Sequence, residues 1–184
     1  MNTQEFTLFY PWDENGYKPN VNFTLSMLED AFHLNIVAWE SNPKRDEQEQ
    51  LHYVHRDSCV EWFANFAPDK TNSYFNFELN ANGVLYAAFG ENRNERTLLD
   101  LEDVASLNIK NTISEDCWSI DFSVPFTFIK KYIPDFEWKE GSTIRGNFYK
   151  CGDRTEYPHF GIWHPIDLPK PDFHCPQFFG EITI

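Results

Sequence analysis

Polar side chains alternate with apolar ones in three stretches of this sequence, and each stretch carries groups that could bind a ligand. Asn76 and Glu78 alternate with phenylalanines, Arg145 and Asn147 alternate with small or apolar residues, and Glu61 lies in a third, largely apolar stretch. Successive side chains of a β-strand point to opposite faces, so each stretch predicts a strand with one polar face. Carboxylate, amide and guanidinium groups together supply the donors and acceptors that paired sugar hydroxyls need. An ordinary solvated sheet face explains the same alternation equally well.

Aromatic residues in the segment 152–176, predicted as a long loop, form a second candidate group. Trp163 is the largest, accompanied by Tyr157, Phe160 and Phe173. An indole on a loop can stack on the apolar face of a pyranose ring. Five prolines stiffen the segment and would reduce the entropy lost on binding. The alternative is that Trp163 packs against one end of the folded domain.

Metal-binding motifs are scarce in the sequence. His52 and His55 are three residues apart and His159 and His164 are five apart, but neither pair comes with the cysteine or glutamate spacing of a zinc site. No EF-hand loop occurs, so any calcium would bind to scattered loop carboxylates. The metal ligands are therefore left unassigned.

Hydrolysis by a pair of carboxylates is the enzymatic alternative for this sequence. Two carboxylates flanking a glycosidic bond allow hydrolysis, and Glu61, Glu78 and Asp153 are the candidates for such a pair. With 29 acidic residues in the chain, however, a pair is expected from composition alone. The sequence has no G-x-S-x-G elbow, no P-loop and no G-x-G-x-x-G motif. We therefore expect a protein that is not an enzyme.

The negative charge of the chain excludes some classes of binding partner. The formal net charge is −14 at pH 7, and such a chain repels nucleic-acid backbones and anionic membrane surfaces. No apolar run reaches the length of a membrane span, and the first residues lack the basic and apolar regions of a signal peptide. The sequence at face value predicts a cytoplasmic protein, or a secreted one if a leader has been removed.

The four cysteines do not follow a disulfide-scaffold or C-x-x-C pattern. Cys59 and Cys151 fall in predicted strands, where a free cysteine usually acts as a small hydrophobe. A disulfide between cysteines remains an open alternative.

Period-two alternation dominates the rest of the chain, and Asn82-Gly83 marks a tight hairpin turn. One short helix is predicted around Phe126 to Ile133, ended by Pro134. Short strands, few helices and no strand–helix alternation favour an all-β fold, an antiparallel β-sandwich, formed as a single domain over residues 1–184. The predicted strands are Val21–Met27, Phe32–Trp39, Ser58–Phe66, Tyr74–Asn80, Val84–Phe89, Trp118–Val124, Thr143–Lys150 and Gln177–Ile184.

Several of these segments, in this order, resemble the family 9 carbohydrate-binding modules and the family-9-like domains of bacterial proteins. The resemblance implies a jelly-roll-like sandwich that stacks a mono- or oligosaccharide between two tryptophans, and many members of the family also hold structural calcium. It places Trp163 in the clamp, Glu61 as a strand carboxylate, and Arg145 and Asn147 in a matching motif. The matching segments are Asp57–Glu61, Tyr74–Glu78, Arg145–Asp153, Trp163–Pro165 and Pro171–Gly180.

One element of the family pattern is missing. The first clamping tryptophan is expected just before Asp57, where residues 51–56 offer Tyr53 or His55 instead. The leading hypothesis is non-catalytic sugar binding by Trp163 with Glu61, Asn76, Arg145 and Asn147, next to a partner glycan-active enzyme. An interaction or structural domain that has lost sugar binding is the second hypothesis, and a hydrolase is the third.

Overall fold

The structure, a computed structural model, describes residues 2–184 and is built mainly of short strands. Its strands are β1 Thr3–Thr7, β2 Asn20–Met27, β3 Ala31–Trp39, β4 Cys59–Asn65, β5 Tyr74–Asn80, β6 Leu85–Gly90, β7 Arg96–Leu98, β8 Lys110–Ile113, β9 Trp118–Pro125, β10 Ile144–Cys151, β11 Phe160–Ile162 and β12 Gly180–Ile182. Its helices are α1 Leu101–Ser106 and α2 Phe126–Tyr132, with 3-10 turns at Val54–Arg56 and Pro176–Phe178.

The strands form two antiparallel sheets. One sheet has the order β1-β2-β3-β9-β8, and the other has the order β11-β10-β4-β5-β6-β7, with β12 pairing the start of β10. All the strand pairs described are antiparallel, and most of the buried apolar residues form one core cluster that draws on both sheets. The predicted all-β sandwich is confirmed.

The core between the sheets comes from alternating strand positions. Val60, Trp62 and Ala64 of β4 are fully buried in it, and so are Phe75 and Phe77 of β5. The indole of Trp62 also stacks on Phe148 of β10, with ring centroids 5.9 Å apart and planes 8° apart. Burial of aromatic side chains of this size supplies a large share of the hydrophobic stabilisation.

Strand β4 lies between β10 and β5 in the larger sheet, so the outward faces of the three strands are continuous. In the register of the sheet Glu61 lies opposite Glu78 on one side and Tyr149 on the other, and Cys59 lies opposite Cys151. This outer face is covered by its own apolar cluster, to which the segment after β11 contributes Phe173 and Phe179 among others. A ligand site on this face therefore has an apolar surround and a sheet as its floor.

Several elements were not predicted from the sequence. The expectation of one helix is incomplete, because α1 also forms, with Asp100 accepting from the Asp103 backbone N–H as its N-cap. Strands β1, β7, β8 and β11 were not predicted either, since all have five residues or fewer. The last predicted strand is shortened to β12, because the chain before it forms a 3-10 turn that starts at Pro176.

A buried ion pair, Lys150–Glu40, connects the two sheets. Lys150 is fully buried, its side chain points inward from β10, and its Nζ lies 3.4 Å from Glu40 Oε2, 2.6 Å from His159 Nε2 and 2.9 Å from Ser58 Oγ. Glu40 also accepts from the indole N–H of Trp118 at 3.0 Å. The charged atoms of Lys150 and Glu40 thus have partners, which is the condition under which burial of charge is tolerated.

Candidate functional site

A cavity of about 240 Å³ opens on the outer face of the larger sheet. Its floor is the outward side of β4, β5 and β10, and its walls come from the segments around Val54–Arg56, Arg93 and Phe173. Its lining mixes carboxylates, guanidiniums, imidazoles and aromatic rings: Tyr53, His55, Glu61, Phe63, Glu78, Tyr86, Arg93, Arg96, Cys151, Asp153, Phe160, Pro171, Asp172, Phe173 and His174.

Two buried carboxyl groups form the acidic part of the floor. Glu61 and Glu78 are opposite residues of β4 and β5, and their exposed fractions are 3% and 5%. Burial raises the pKa of Glu78 to about 7, and burial, with Cys151 and Glu78 nearby, raises the pKa of Glu61 well above its ordinary value. A carboxyl group that keeps its proton near neutral pH can donate a hydrogen bond as well as accept one.

Guanidinium and imidazole groups line the opposite part of the cavity. Arg93 pairs with Asp172 at 2.6 Å, while an N–H of Arg96 lies 3.3 Å from His174 Nε2. The Arg96 guanidinium also lies 5.5 Å from the centre of the Tyr86 ring. Burial, followed by the charges of Arg96 and Arg93, lowers the pKa of His174 to about 2, so this imidazole is neutral and accepts from Arg96.

Aromatic rings supply the apolar surface of the cavity. Tyr53 is 56% exposed and stacks on Tyr86, with centroids 5.9 Å apart and planes 28° apart. Phe173 stacks on the buried Tyr149 at 4.1 Å. Tyr53 therefore presents an exposed ring beside the polar floor, with the Arg56 guanidinium 5.1 Å from the ring centre. Exposed rings beside polar groups are the combination a sugar ring requires.

The structure brings three of the predicted site residues together in this cavity, namely Glu61, Tyr53 and His55. Asn76 lies on the same sheet face but is fully buried beneath it, where its Nδ2 donates to Glu78 Oε1 at 3.0 Å. Asn76 therefore orients a cavity carboxyl group without lining the cavity.

The other three predicted residues lie elsewhere. Trp163 is partly buried between the sheets, with its ring 4.9 Å from Phe6 and 5.8 Å from Phe148. Asn147 is fully buried and tethers the backbone of His164, accepting from its N–H at 2.8 Å and donating to its carbonyl at 3.0 Å.

Arg145 is remote from the cavity along its own strand. It pairs with Asn65 in the register of the sheet and lines a different depression, beside Phe179. Glu61 pairs with Tyr149, which lies four residues after Arg145 on β10. Arg145 and the Glu61–Tyr149 pair are therefore about 13 Å apart along the strand. The expected slot between Trp163, Glu61 and Arg145 is therefore not formed, and the polar and aromatic groups that converge are a different set.

Arg93, Arg96, Tyr86 and His174 were not among the predicted site residues. Tyr86 was detectable, because it occupies an outward position two residues after Val84 in a predicted strand. The two arginines lie on or before the three-residue strand β7, which gives too short a pattern to assign a face. His174 reaches the cavity only through the folding of the long segment that follows β11.

Sulfur and carboxylate atoms also cluster at the cavity floor. One ligand atom from each of Cys59, Glu61 and Cys151 lies within 4.8 Å of the others, and the thiols are free. Burial raises the pKa of the Cys59 thiol to about 12. Calcium, which prefers oxygen ligands, finds no comparable carboxylate group among residues 2–184, and the expected structural calcium stays a prediction.

A β-sandwich with a mixed polar and aromatic cavity on one sheet is typical of small ligand-binding modules. A family model of carbohydrate-binding family 9 matches residues 3–184, and the chain belongs to this family. The resemblance stated from the sequence is confirmed, and since the family is non-catalytic, the expectation that the chain is not an enzyme is confirmed with it.

Solved structures of similar fold extend the comparison. A presumed carbohydrate-binding protein from Bacteroides uniformis has 29% identity and a TM-score of 0.81, with 98% of this chain and 84% of that chain covered. A family 9 module from Caldicellulosiruptor kristjanssonii in complex with cellotriose has 12% identity and a TM-score of 0.67, with 98% and 82% covered. The glucose complex of a family 9 module from the same organism has 13% identity and a TM-score of 0.63, with 97% and 83% covered. No curated protein matches the chain.

No helix among residues 2–184 has both the length and the apolar composition that crossing a membrane would require.

Proposed function

We propose that this domain binds a mono- or oligosaccharide in the cavity on the outer face of the larger sheet, without altering it chemically. The observation that supports the proposal most is the convergence of an exposed ring, Tyr53, with buried carboxyl groups and a guanidinium around one cavity. The family is carbohydrate-binding, and structures of similar fold hold glucose or cellotriose.

Each group in the cavity has a distinct role in this proposal. Tyr53 takes the position for which the sequence offered Tyr53 or His55, and its ring stacks on the C–H face of the sugar. Glu78, held by Asn76, and Glu61 accept from or donate to ring hydroxyls, and Arg96 donates to hydroxyl or ring oxygens. A glycan-active enzyme as partner stays a prediction.

Calorimetric titration of the protein with glucose and cellotriose, in the presence of a chelator, tests the proposal. We expect saturable binding, and Tyr53→Ala and Arg96→Ala should each weaken it at least about tenfold, which corresponds to about 1.4 kcal/mol. Arg145→Ala is the matched control, because Arg145 lies on the same sheet face outside the cavity, and its affinity should stay within about twofold of wild type.

Two outcomes would contradict the proposal. If neither sugar, nor any member of a glycan array, bound at millimolar concentration, the alternative of an interaction domain without sugar binding would be favoured. If Arg145→Ala removed binding and Tyr53→Ala did not, the sugar site would lie in the depression beside Phe179 instead.

A further inference from the structure

Two cysteines and a glutamate form a compact set of metal-ligand atoms where β4 meets β10. Cys59 and Cys151 are directly opposite residues of the two strands, and Glu61 lies two positions after Cys59 on the same face. Glu61 Oε1 is 3.0 Å from Cys151 Sγ and 4.0 Å from Cys59 Sγ. All three ligand atoms lie within 4.8 Å of one another.

These separations are close to those that a tetrahedral zinc ion imposes on its ligands. With Zn–S near 2.3 Å and Zn–O near 2.0–2.2 Å, neighbouring ligand atoms lie about 3.5–3.8 Å apart. The three residues lie on adjacent strands at fixed register, so any adjustment to an ion would fall to their side chains. Sites built on strands position their ligands more accurately than sites on loops.

The group also has no positively charged partner among the described residues. Glu61 is 3% exposed and, in the part of the chain that the structure describes, forms no ion pair, since its hydrogen-bond partners are the two thiols. Cys59 and Cys151 are buried as well. Two thiolates and a carboxylate would need a compensating positive charge in this environment, and a divalent cation supplies it as the thiol protons are released.

The ion has a route to the group. Glu61 and Cys151 line the open cavity, so a metal ion bound between them is reached from solvent. Three protein ligands leave one coordination position of a tetrahedral ion for water or a cavity ligand. Sulfur ligands select a thiophilic ion rather than calcium or magnesium.

We propose that Cys59, Glu61 and Cys151 bind a thiophilic divalent cation, with Zn²⁺ as its representative, at the floor of the cavity. The metal proposal does not rest on the proposed sugar binding, although both sites include Glu61. The metal experiment is therefore done without sugar, and the sugar titration is done with a chelator, so that each can fail alone.

Cobalt substitution tests the proposal with a spectroscopic readout. Reduced, metal-free protein, with four reactive thiols verified after denaturation, is titrated with Co²⁺ and then Zn²⁺. We expect one equivalent of Co²⁺ to give the visible bands of tetrahedral coordination and sulfur-to-metal charge transfer, and one equivalent of Zn²⁺ to remove them. Cys59→Ser, Cys151→Ser and Glu61→Gln should each weaken Zn²⁺ binding at least about tenfold.

A matched variant controls for general effects. Cys175→Ser changes another buried thiol outside the group and should bind Zn²⁺ as wild type does. Wild-type protein without the tetrahedral spectrum, or undiminished Zn²⁺ binding in the folded ligand variants, would overturn the proposal. So would a thiol count of two in freshly prepared protein with Cys59 and Cys151 joined as a disulfide. If Cys151→Ser does not fold, the wild-type spectrum and Glu61→Gln still decide.

Discussion

Lys150 Nζ lies 3.4 Å from Glu40 Oε2 inside the sandwich, and the two side chains are 0% and 5% exposed. The pair connects β10 of one sheet with the end of β3 in the other. Burial alone would raise the pKa of Glu40, but the charge of Lys150 and hydrogen bonds from Ser58 and Trp118 outweigh it and hold that pKa below its ordinary value. Glu40 is therefore ionised in the folded state.

Removing one member of this pair should destabilise the domain strongly. Glu40→Ala leaves a buried ammonium group without a counter-charge, for which a loss of about 3–5 kcal/mol is expected. Chemical denaturation followed by tryptophan fluorescence measures the loss. Asp13→Asn is the control, because the Asp13–Lys18 pair is partly exposed, with side-chain exposures of 26% and 49%, and its removal should cost far less than the loss of Glu40. Equal losses in the two variants would contradict this account.

His159 makes the stability of the domain depend on pH. Its Nε2 lies 2.6 Å from Lys150 Nζ and its Nδ1 lies 2.8 Å from the Tyr157 carbonyl oxygen, so the neutral ring accepts from the lysine and donates to the carbonyl. Burial, followed by the charge of Lys150, lowers the pKa of His159 from 6.5 to about 4.

Because the unfolded state binds this proton first, the free energy of unfolding should fall as pH decreases from 6.5 towards 4. The shift of His159 corresponds to a loss of about 3 kcal/mol across that window, while no loss from this group is expected above pH 7. Denaturation midpoints measured at successive pH values test this. His159→Gln should flatten the slope in the window, and an unchanged slope would assign the pH dependence to other groups.

Much of the framework follows from local sequence patterns. The strand Tyr74–Asn80 has the predicted bounds. The predicted hairpin turn forms at Asn82-Gly83, and Gly83 has a φ of +75°. The polar face of β5 also follows from period two. These features depend on neighbouring residues, which the sequence displays directly.

The position of Trp163 could not be predicted, because it depends on a strand that was interpreted as a loop. Phe160 and Ile162 of β11 face the outer cluster, and the ladder to β10 continues through the Trp163 N–H to the Phe148 carbonyl oxygen at 3.0 Å. By alternation Trp163 then turns towards the core. Had residues 160–163 been predicted as a strand, its inward direction would have followed.

Asn147 should act on stability through the backbone it tethers. Its Oδ1 accepts from the backbone N–H groups of His164 and Phe148 at 2.8 and 2.9 Å, and its Nδ2 donates to the His164 carbonyl. Asn147→Ala leaves these buried groups unpaired and should lower the free energy of unfolding by about 1–3 kcal/mol. Thermal denaturation measures the effect. Asn94→Ala, at an exposed position, should stay within about 0.5 kcal/mol of wild type, and a silent Asn147→Ala would argue against the tether.

Substitution of Trp163 distinguishes a packing role for this indole from the sugar-stacking role that the sequence predicts. In the structure its ring contacts Phe6 and Phe148, and its outer edge lies against Gly180, where an added Cβ would come within 2.7 Å of it. Trp163→Ala should therefore lower stability, near the lower end of the about 3–5 kcal/mol typical of core tryptophans because the ring is only partly buried. Below the unfolding transition its sugar affinity, measured by calorimetry, should stay within about twofold of wild type.

Tyr53→Ala is the reciprocal variant, with stability changed by less than about 0.5 kcal/mol because the ring is exposed, and affinity reduced. If Trp163→Ala kept its stability and lost sugar binding, the indole would be the stacking platform after all, and the cavity lined by Tyr53 would not be the sugar site.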